Sequence, residues 1–229
     1  ALHGDGAQAV RAAAIALKGS PAPGALAAAN AVFEQWVRRA NDSERDARVA
    51  LLEAAGRPAG DDRPPPARHD LPPDAVALAL GKDVRVRVTL SPGAGGGSFV
   101  VRLRGDVAPV MAARILALVR AGYYDGGNWH RVEPDFVIQG GGPGTNEYVG
   151  YGHYLRDELA TLAHPRGTVG MSTRGHDSGD AQWFINLKDN PRLVRDYTVF
   201  AEVTEGMDVV DGILEGDVVA TMRVEPAGR

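Results

Sequence analysis

Two kinds of hydrophobic pattern divide this chain. Between residues 7 and 55 the apolar positions recur at helical spacing. Val32, Phe33, Trp36 and Val37 share one face of a helix predicted over 25–40, and Val49, Leu52 and Ala55 share one over 43–55. A first Ala- and Leu-rich helix is predicted over 7–18, separated from the second by the breaker cluster Gly19-Ser20-Pro21-Ala22-Pro23-Gly24. Ser43 is the expected N-cap of the third, with Asp46 three residues on, and Gly56 and Pro58 end it. Residues 56–73, which include Pro64-Pro65-Pro66 and Pro72-Pro73, then read as an extended linker, and a short helix over 74–80 stops at Gly81.

From Asp83 the period falls to two. Val84, Val86 and Val88 alternate with Arg85, Arg87 and Thr89, and Phe99, Val101 and Leu103 do the same after a glycine-rich turn over 91–97. That turn leads into a strand rather than a helix, so it is no phosphate cradle. Asp106 and Pro109 mark the start of a helix that runs to Gly122. Short apolar runs follow at 168–171, 182–187 and 199–203, then a helix over 206–212 and a last strand over 218–224. Many short strands with two helices predict a mainly β fold: a closed antiparallel barrel capped by two helices, preceded by a small α-helical segment. The expected division is a helical segment over 1–56, a linker over 57–82 and a barrel domain over 83–229.

The candidate chemistry lies in Trp129-His130-Arg131-Val132-Glu133-Pro134-Asp135-Phe136-Val137-Ile138-Gln139-Gly140-Gly141. Alternation places Arg131 and Gln139 on one face with Glu133, Asp135 and Val137, and Pro134 must interrupt or edge the strand. A cation and an amide beside apolar surface suit a substrate that is gripped and polarised rather than cut. This segment resembles the signature of the cyclophilins, the peptidyl-prolyl cis-trans isomerases, in a bacterial-like form. Two further segments carry the resemblance: 167–173 with 179–185, and 197–210. Together they span roughly residues 83–226 in the family's order, and three motifs in register are far more specific than one.

The resemblance implies an eight-stranded barrel and an enzyme that isomerises Xaa-Pro bonds of peptides and of unfolded or partly folded proteins. Such a reaction makes no covalent bond. It twists an amide against a barrier of roughly 18–20 kcal/mol, and a donor that meets the pyramidal prolyl nitrogen acts only in the transition state. Arg131 takes that role, because arginine presents a planar donor fork that lysine lacks. The resemblance also implies that Phe136, Val137, Phe184 and Leu193 line a proline pocket, that Gln139 holds a substrate carbonyl, and that Ser172 and Thr173 pair with the peptide backbone. Gln182 stands at the site edge and Tyr197 at the pocket rim. On the residues alone, Phe136 and Phe184 are open between pocket and core, and Trp183 reads as core. Val137, Tyr197 and Arg192 depart from what many members carry at those positions, so weak inhibition by cyclosporin is expected.

Composition narrows the alternatives. A net charge of −4 argues against nucleic acid as a partner, and the absence of cysteine removes disulfides, thiol nucleophiles and thiolate-bound metals. His153, His164 and His176 lack metal-ligand spacing, His130 lies on the face opposite Arg131, and the glycine loop over 140–144 lacks the Lys-Ser or Lys-Thr of a phosphate loop. No cofactor and no metal are expected. No run approaches the roughly 20 apolar residues of a membrane span. With His3 and Asp5 where an apolar core would begin, the N-terminus does not read as a signal peptide, and the compartment is open between cytoplasm and periplasm. Two rival readings stand beside the enzyme: a module that binds proline segments as scaffold or chaperone with little turnover, and a docking role for the N-terminal helices.

Overall fold

In the computed structural model the chain divides into two units, Ala1–His69 and Asp70–Arg229. The structure describes residue 2 and residues 6–39, 41–63, 71–81, 83–143, 147 and 149–225. Part of the expected linker, namely residues 64–70 with Pro64-Pro65-Pro66, and Lys82, lies outside them. So do Gly144 of the glycine loop and residue 226 at the end of the resemblance.

The first unit packs α1 (Ala7–Leu17), α2 (Ala25–Trp36) and α3 (Arg45–Ala54) around Val10, Val32, Phe33, Trp36, Leu51 and Leu52. Its details differ from the sequence reading in three ways. The second helix gives way after Trp36 to a 3-10 turn, Val37–Arg39. Ser43 is not the cap: the Asn41 side chain accepts the Ser43 N–H at 3.0 Å, and a 3-10 turn precedes α3. The buried side of α3 includes Leu52 as expected, but Val49 and Ala55 are only partly buried, and Ala47, Leu51, Ala54 and the charged Arg48 are buried with it. Arg48 is buried because Asp62 accepts from its Nε at 2.7 Å and from its Nη2 at 3.2 Å, while the Asn41 carbonyl accepts from Nη1 at 2.6 Å. A buried charge needs such pairing. The same contacts, with Arg57 on Asn30 and Glu34, tie residues 57–62 into the helical unit.

The second unit begins with α4 (Pro73–Ala79), whose Ala75 and Ala79 belong to the barrel core. The linker drawn over 57–82 is therefore structured at both ends, one end in each unit. Strands β1 (Arg85–Leu90) and β2 (Ser98–Leu103) form the expected hairpin and precede α5 (Pro109–Arg120). Asp106 does not cap α5. It pairs with Arg104, and the Glu158 carboxylate instead accepts the N–H groups of Val110 and Met111 at 3.0 and 2.8 Å. Those are orphan donors of the helix start, satisfied by a residue far along the chain.

Next come β3 (Trp129–Glu133), β4 (Val137–Gly140), β5 (Thr168–Met171), β6 (Trp183–Asn186), β7 (Val199–Glu205), α6 (Met207–Asp211) and β8 (Val219–Val224). All pairings are antiparallel, in the order β3-β4-β6-β5-β7-β2-β1-β8. The two ends of that order meet where Asn128 bridges Val218 and the Trp129 N–H reaches the Asp217 carbonyl at 2.9 Å. The sheet thus curls onto itself. Its interior holds Val86, Val88, Phe99, Ile138, Ile185 and Phe200, with Trp129 and Trp183 edge-to-face at 5.0 Å.

Candidate active site

The segment that reads as an interrupted strand is a hairpin. Pro134, Asp135 and Phe136 make its turn, with Asp135 in the left-handed region at φ 58°, so the proline begins a turn and removes no ladder bond. A register shift between Trp129 and Arg131 restores the pairing of Arg131 with Gln139. Gln139 in turn pairs with Phe184 on β6, and Phe184 with Gly170 on β5. Directly paired residues share a face. Gly170, Phe184, Gln139 and Arg131 therefore form one row across four strands, on the side away from Ile138 and Ile185.

On that outer face Val137, Phe184 and Leu193 make an apolar cluster separate from the barrel core, with Phe136 and Tyr197 packed against it. This resolves the ambiguity of the two phenylalanines, since neither belongs to the core. Tyr197 meets Phe184 edge-on at 5.5 Å between centroids, and His164 stacks on it at 6.3 Å. Gly170 lies beneath the ring: a Cβ there would sit 2.3 Å from Phe184 Cζ.

The cluster floors a cleft of about 300 Å³ whose lining also includes Arg131, Gln139, Ser172, Thr173, Glu147 and Arg192. Of the ten expected site residues, nine line it. The tenth, Gln182, lies at its edge, in a neighbouring small depression. Gln139 is almost fully buried and links the polar groups. Its Nε2 donates to Ser172 Oγ at 2.9 Å and to Gln182 Oε1 at 3.1 Å, and its Oε1 accepts from Arg131 Nη1 at 3.4 Å. Gln182 Nε2 donates to the Val149 carbonyl at 2.8 Å. Arg131 also faces Glu133, Nε to Oε1 at 3.5 Å, and remains 39% exposed.

Sequence reasoning missed the polar scaffold behind Phe136. Asn190 Nδ2 donates to the Phe136 carbonyl at 3.1 Å and to Asn186 Oδ1 at 2.7 Å, and Asn186 Nδ2 donates to Thr168 Oγ1 at 2.8 Å. Nothing local in the sequence marks these residues, which flank β5 and β6. Buried His164 lies beside Asn186, and burial pushes its imidazole pKa down. Burial lowers His130 as well. Among the described residues no group of three or more His, Cys, Asp or Glu side chains is arranged to hold a metal ion.

Residues 86–227 match the family described as cyclophilin type peptidyl-prolyl cis-trans isomerase/CLD. The chain is 35% identical over 130 residues to a peptidyl-prolyl cis-trans isomerase of Helicobacter pylori, covering 55% of this chain and 80% of that one. It is 35% identical over 132 residues to peptidyl-prolyl cis-trans isomerase B of Bacillus subtilis, covering 57% and 92%. A crystal structure of a Cryptosporidium parvum cyclophilin type isomerase, in the presence of the dipeptide Ala-Pro, superposes with a TM-score of 0.57 at 22% identity, covering 62% of this chain and 99% of that one. The chain belongs to the cyclophilin family, and its activity is that of a peptidyl-prolyl cis-trans isomerase. Among the described residues no helix is long and apolar enough to cross a membrane.

Proposed function

We propose that isomerisation takes place in the cleft on the outer face of β3, β4, β5 and β6, and that Arg131 is its catalytic residue. The observation that carries this reading is the row Gly170–Phe184–Gln139–Arg131, which sets one guanidinium beside an apolar floor outside the barrel core. A proline ring would rest on Phe136, Val137, Phe184 and Leu193, under the edge of Tyr197. The crystallised relative with Ala-Pro makes an Xaa-Pro segment a natural occupant.

With the ring held, rotation about the preceding amide costs its conjugation, and the nitrogen gains a lone pair only as the bond twists. A guanidinium N–H aimed at that nitrogen stabilises the twisted state and leaves both planar isomers alone, which raises turnover rather than affinity. Ser172 and Thr173 would align the peptide backbone. Gln139 is expected to hold a substrate carbonyl, and its contacts support a second role beside that one. Both of its amide hydrogens are occupied, by Ser172 and Gln182, and its oxygen faces Arg131. Through that oxygen it would also help to aim the guanidinium.

The test is a protease-coupled assay on a short Xaa-Pro peptide. Arg131→Ala should lower kcat/KM by roughly 10²–10³, the cost of removing one transition-state donor. Its thermal midpoint should stay near that of the wild type, since a half-exposed ion pair adds little. Arg131→Lys should recover little of the loss. Near-native turnover in Arg131→Ala would overturn the assignment. The rival reading, a binding module, predicts instead that proline peptides bind without any acceleration of exchange.

A further inference from the structure

Phe136 carries two guanidinium groups, and only one has a role in the mechanism. Arg131 Cζ lies 5.9 Å from the ring centroid, and Arg192 Cζ lies over the ring at 4.2 Å. The charge of Arg131 is already engaged, by Glu133 and by the oxygen of Gln139. Arg192 is exposed and, among the described residues, makes no ion pair.

Its position follows from the 3-10 turn Pro191–Leu193, which turns Leu193 into the apolar cluster and leaves Arg192 at the mouth. There it lines both the main cleft and an adjoining depression of about 360 Å³ beyond Phe136. That depression also holds Lys188, Asp135 and Asp189, so its charges balance; Asp189 accepts the Arg166 N–H at 2.9 Å. A guanidinium stacked on an aromatic face keeps its N–H edges free, which is the arrangement that meets a carboxylate side-on. The stacking also removes much of the side-chain entropy that a carboxylate would otherwise have to overcome.

We propose that Arg192 is a specificity-determining residue that grips a carboxylate side chain next to the proline, so that Xaa-Pro segments flanked by Asp or Glu are preferred. The inference rests on the cleft being the site of isomerisation. It adds a charge preference at the mouth, where the cleft meets the depression beyond Phe136.

Exchange spectroscopy on two matched peptide pairs tests it, with Glu or Gln placed immediately before or immediately after the proline. For the wild type, one of the two placements should show a kcat/KM higher for Glu than for Gln by roughly two- to fivefold, the range of an exposed charge pair. Raising the salt should shrink that ratio. Arg192→Gln should bring it to one, and Arg192→Lys should keep part of it. A wild-type ratio of one at both placements, a ratio indifferent to salt, or a ratio that survives in Arg192→Gln would overturn the proposal. Turnover of the Gln peptides by the wild type, and its loss in Arg131→Ala, report on the cleft itself, so the two failures are distinguishable. Arg192→Lys, which keeps the charge and should keep part of the ratio, separates Arg192 from Arg131 and Lys188 should Arg192→Gln fail to fold.

Discussion

Gly170→Ala is the sharpest test of how the proline pocket is built. The new methyl would sit 2.3 Å from Phe184 Cζ and 2.9 Å from each Cε. Carbon atoms rest at about 3.5–4.0 Å, so the tip of the ring must move by about 1.2 Å or more. Tyr197 stands edge-on at 5.5 Å, His164 is stacked at 6.3 Å, and Val137 and Leu193 pack alongside, so the open direction is into the cleft that the ring floors. The strand cannot yield easily, because Gly170 pairs with Phe184 on one side and Val199 on the other. Overpacking of this kind costs roughly 1–3 kcal/mol of stability.

The functional cost should be of similar size. A displacement near 1 Å at a positioning surface can cost about a hundredfold in rate; a loss of ten- to a hundredfold in kcat/KM is expected, about 1.4–2.7 kcal/mol. Thermal unfolding and exchange spectroscopy on one Xaa-Pro peptide read both numbers. Adding Phe184→Leu to Gly170→Ala removes the clashing ring atoms, so the double variant should regain most of the stability and little of the turnover. If Gly170→Ala alone melts and turns over like the wild type, Phe184 is not seated on Gly170 and the row across β3 to β5 does not form the pocket floor.

Two further outcomes follow from other parts of the molecule. The imidazole pKa values of His130 and His164 are held down by burial, so their stabilising share is complete above about pH 6.5 and is lost as pH falls through their folded values. The thermal midpoint should therefore fall more between pH 7.5 and 5 in the wild type than in His164→Gln; equal changes in the two proteins would contradict this. Asp180 works in the opposite sense, since burial raises its pKa and its share is lost as pH rises, and the His164→Gln comparison separates the two. A chain begun at Asp83 should be less stable than one begun at Asp70 by on the order of 2 kcal/mol, at about 0.8 kcal/mol for each of the two buried methyl groups of α4. Ala75 and Ala79 lie in the core, and a Cβ on Gly105 would meet the Ala79 carbonyl at 1.7 Å, which shows how closely α4 is applied; equal urea midpoints for the two chains would count against it.

The elements that could be read from pattern are those with one wet face. β1 alternates between buried and half-buried along its whole length, and its period-two signal is plain. β4, β5 and β6 are buried at every position, so alternation fades there and β5 and β6 showed only as short apolar runs. Caps behaved in the same way. Asp106 carried a sound local signal for α5, yet Glu158 took the position because a distant carboxylate was brought to the helix start by the fold. Arg48 is buried because its partner Asp62, fourteen residues on, is brought within reach by the fold. Short-range chemistry was legible and long-range pairing was not.

The same limit explains the candidate site. Arg131 and Gln139 could be placed together because a hairpin joins them, whereas Asn186 and Asn190 gave no sign that they hold Phe136. Yet these asparagines bear on whether the cleft is a binder or a catalyst. Binding tolerates a pocket that adapts to its ligand. Acceleration requires the proline floor and the guanidinium to keep their separation while the amide rotates between them. The Phe136 carbonyl is fixed by Asn190 and by the Leu187 N–H at 2.9 Å, and Gln139 is fixed by Ser172 and Gln182. Phe136 and Arg131 are thus held through separate hydrogen-bond chains to the same sheet, and linked hydrogen bonds of this kind resist displacement. A scaffold that only gripped proline segments would have no use for that second anchor.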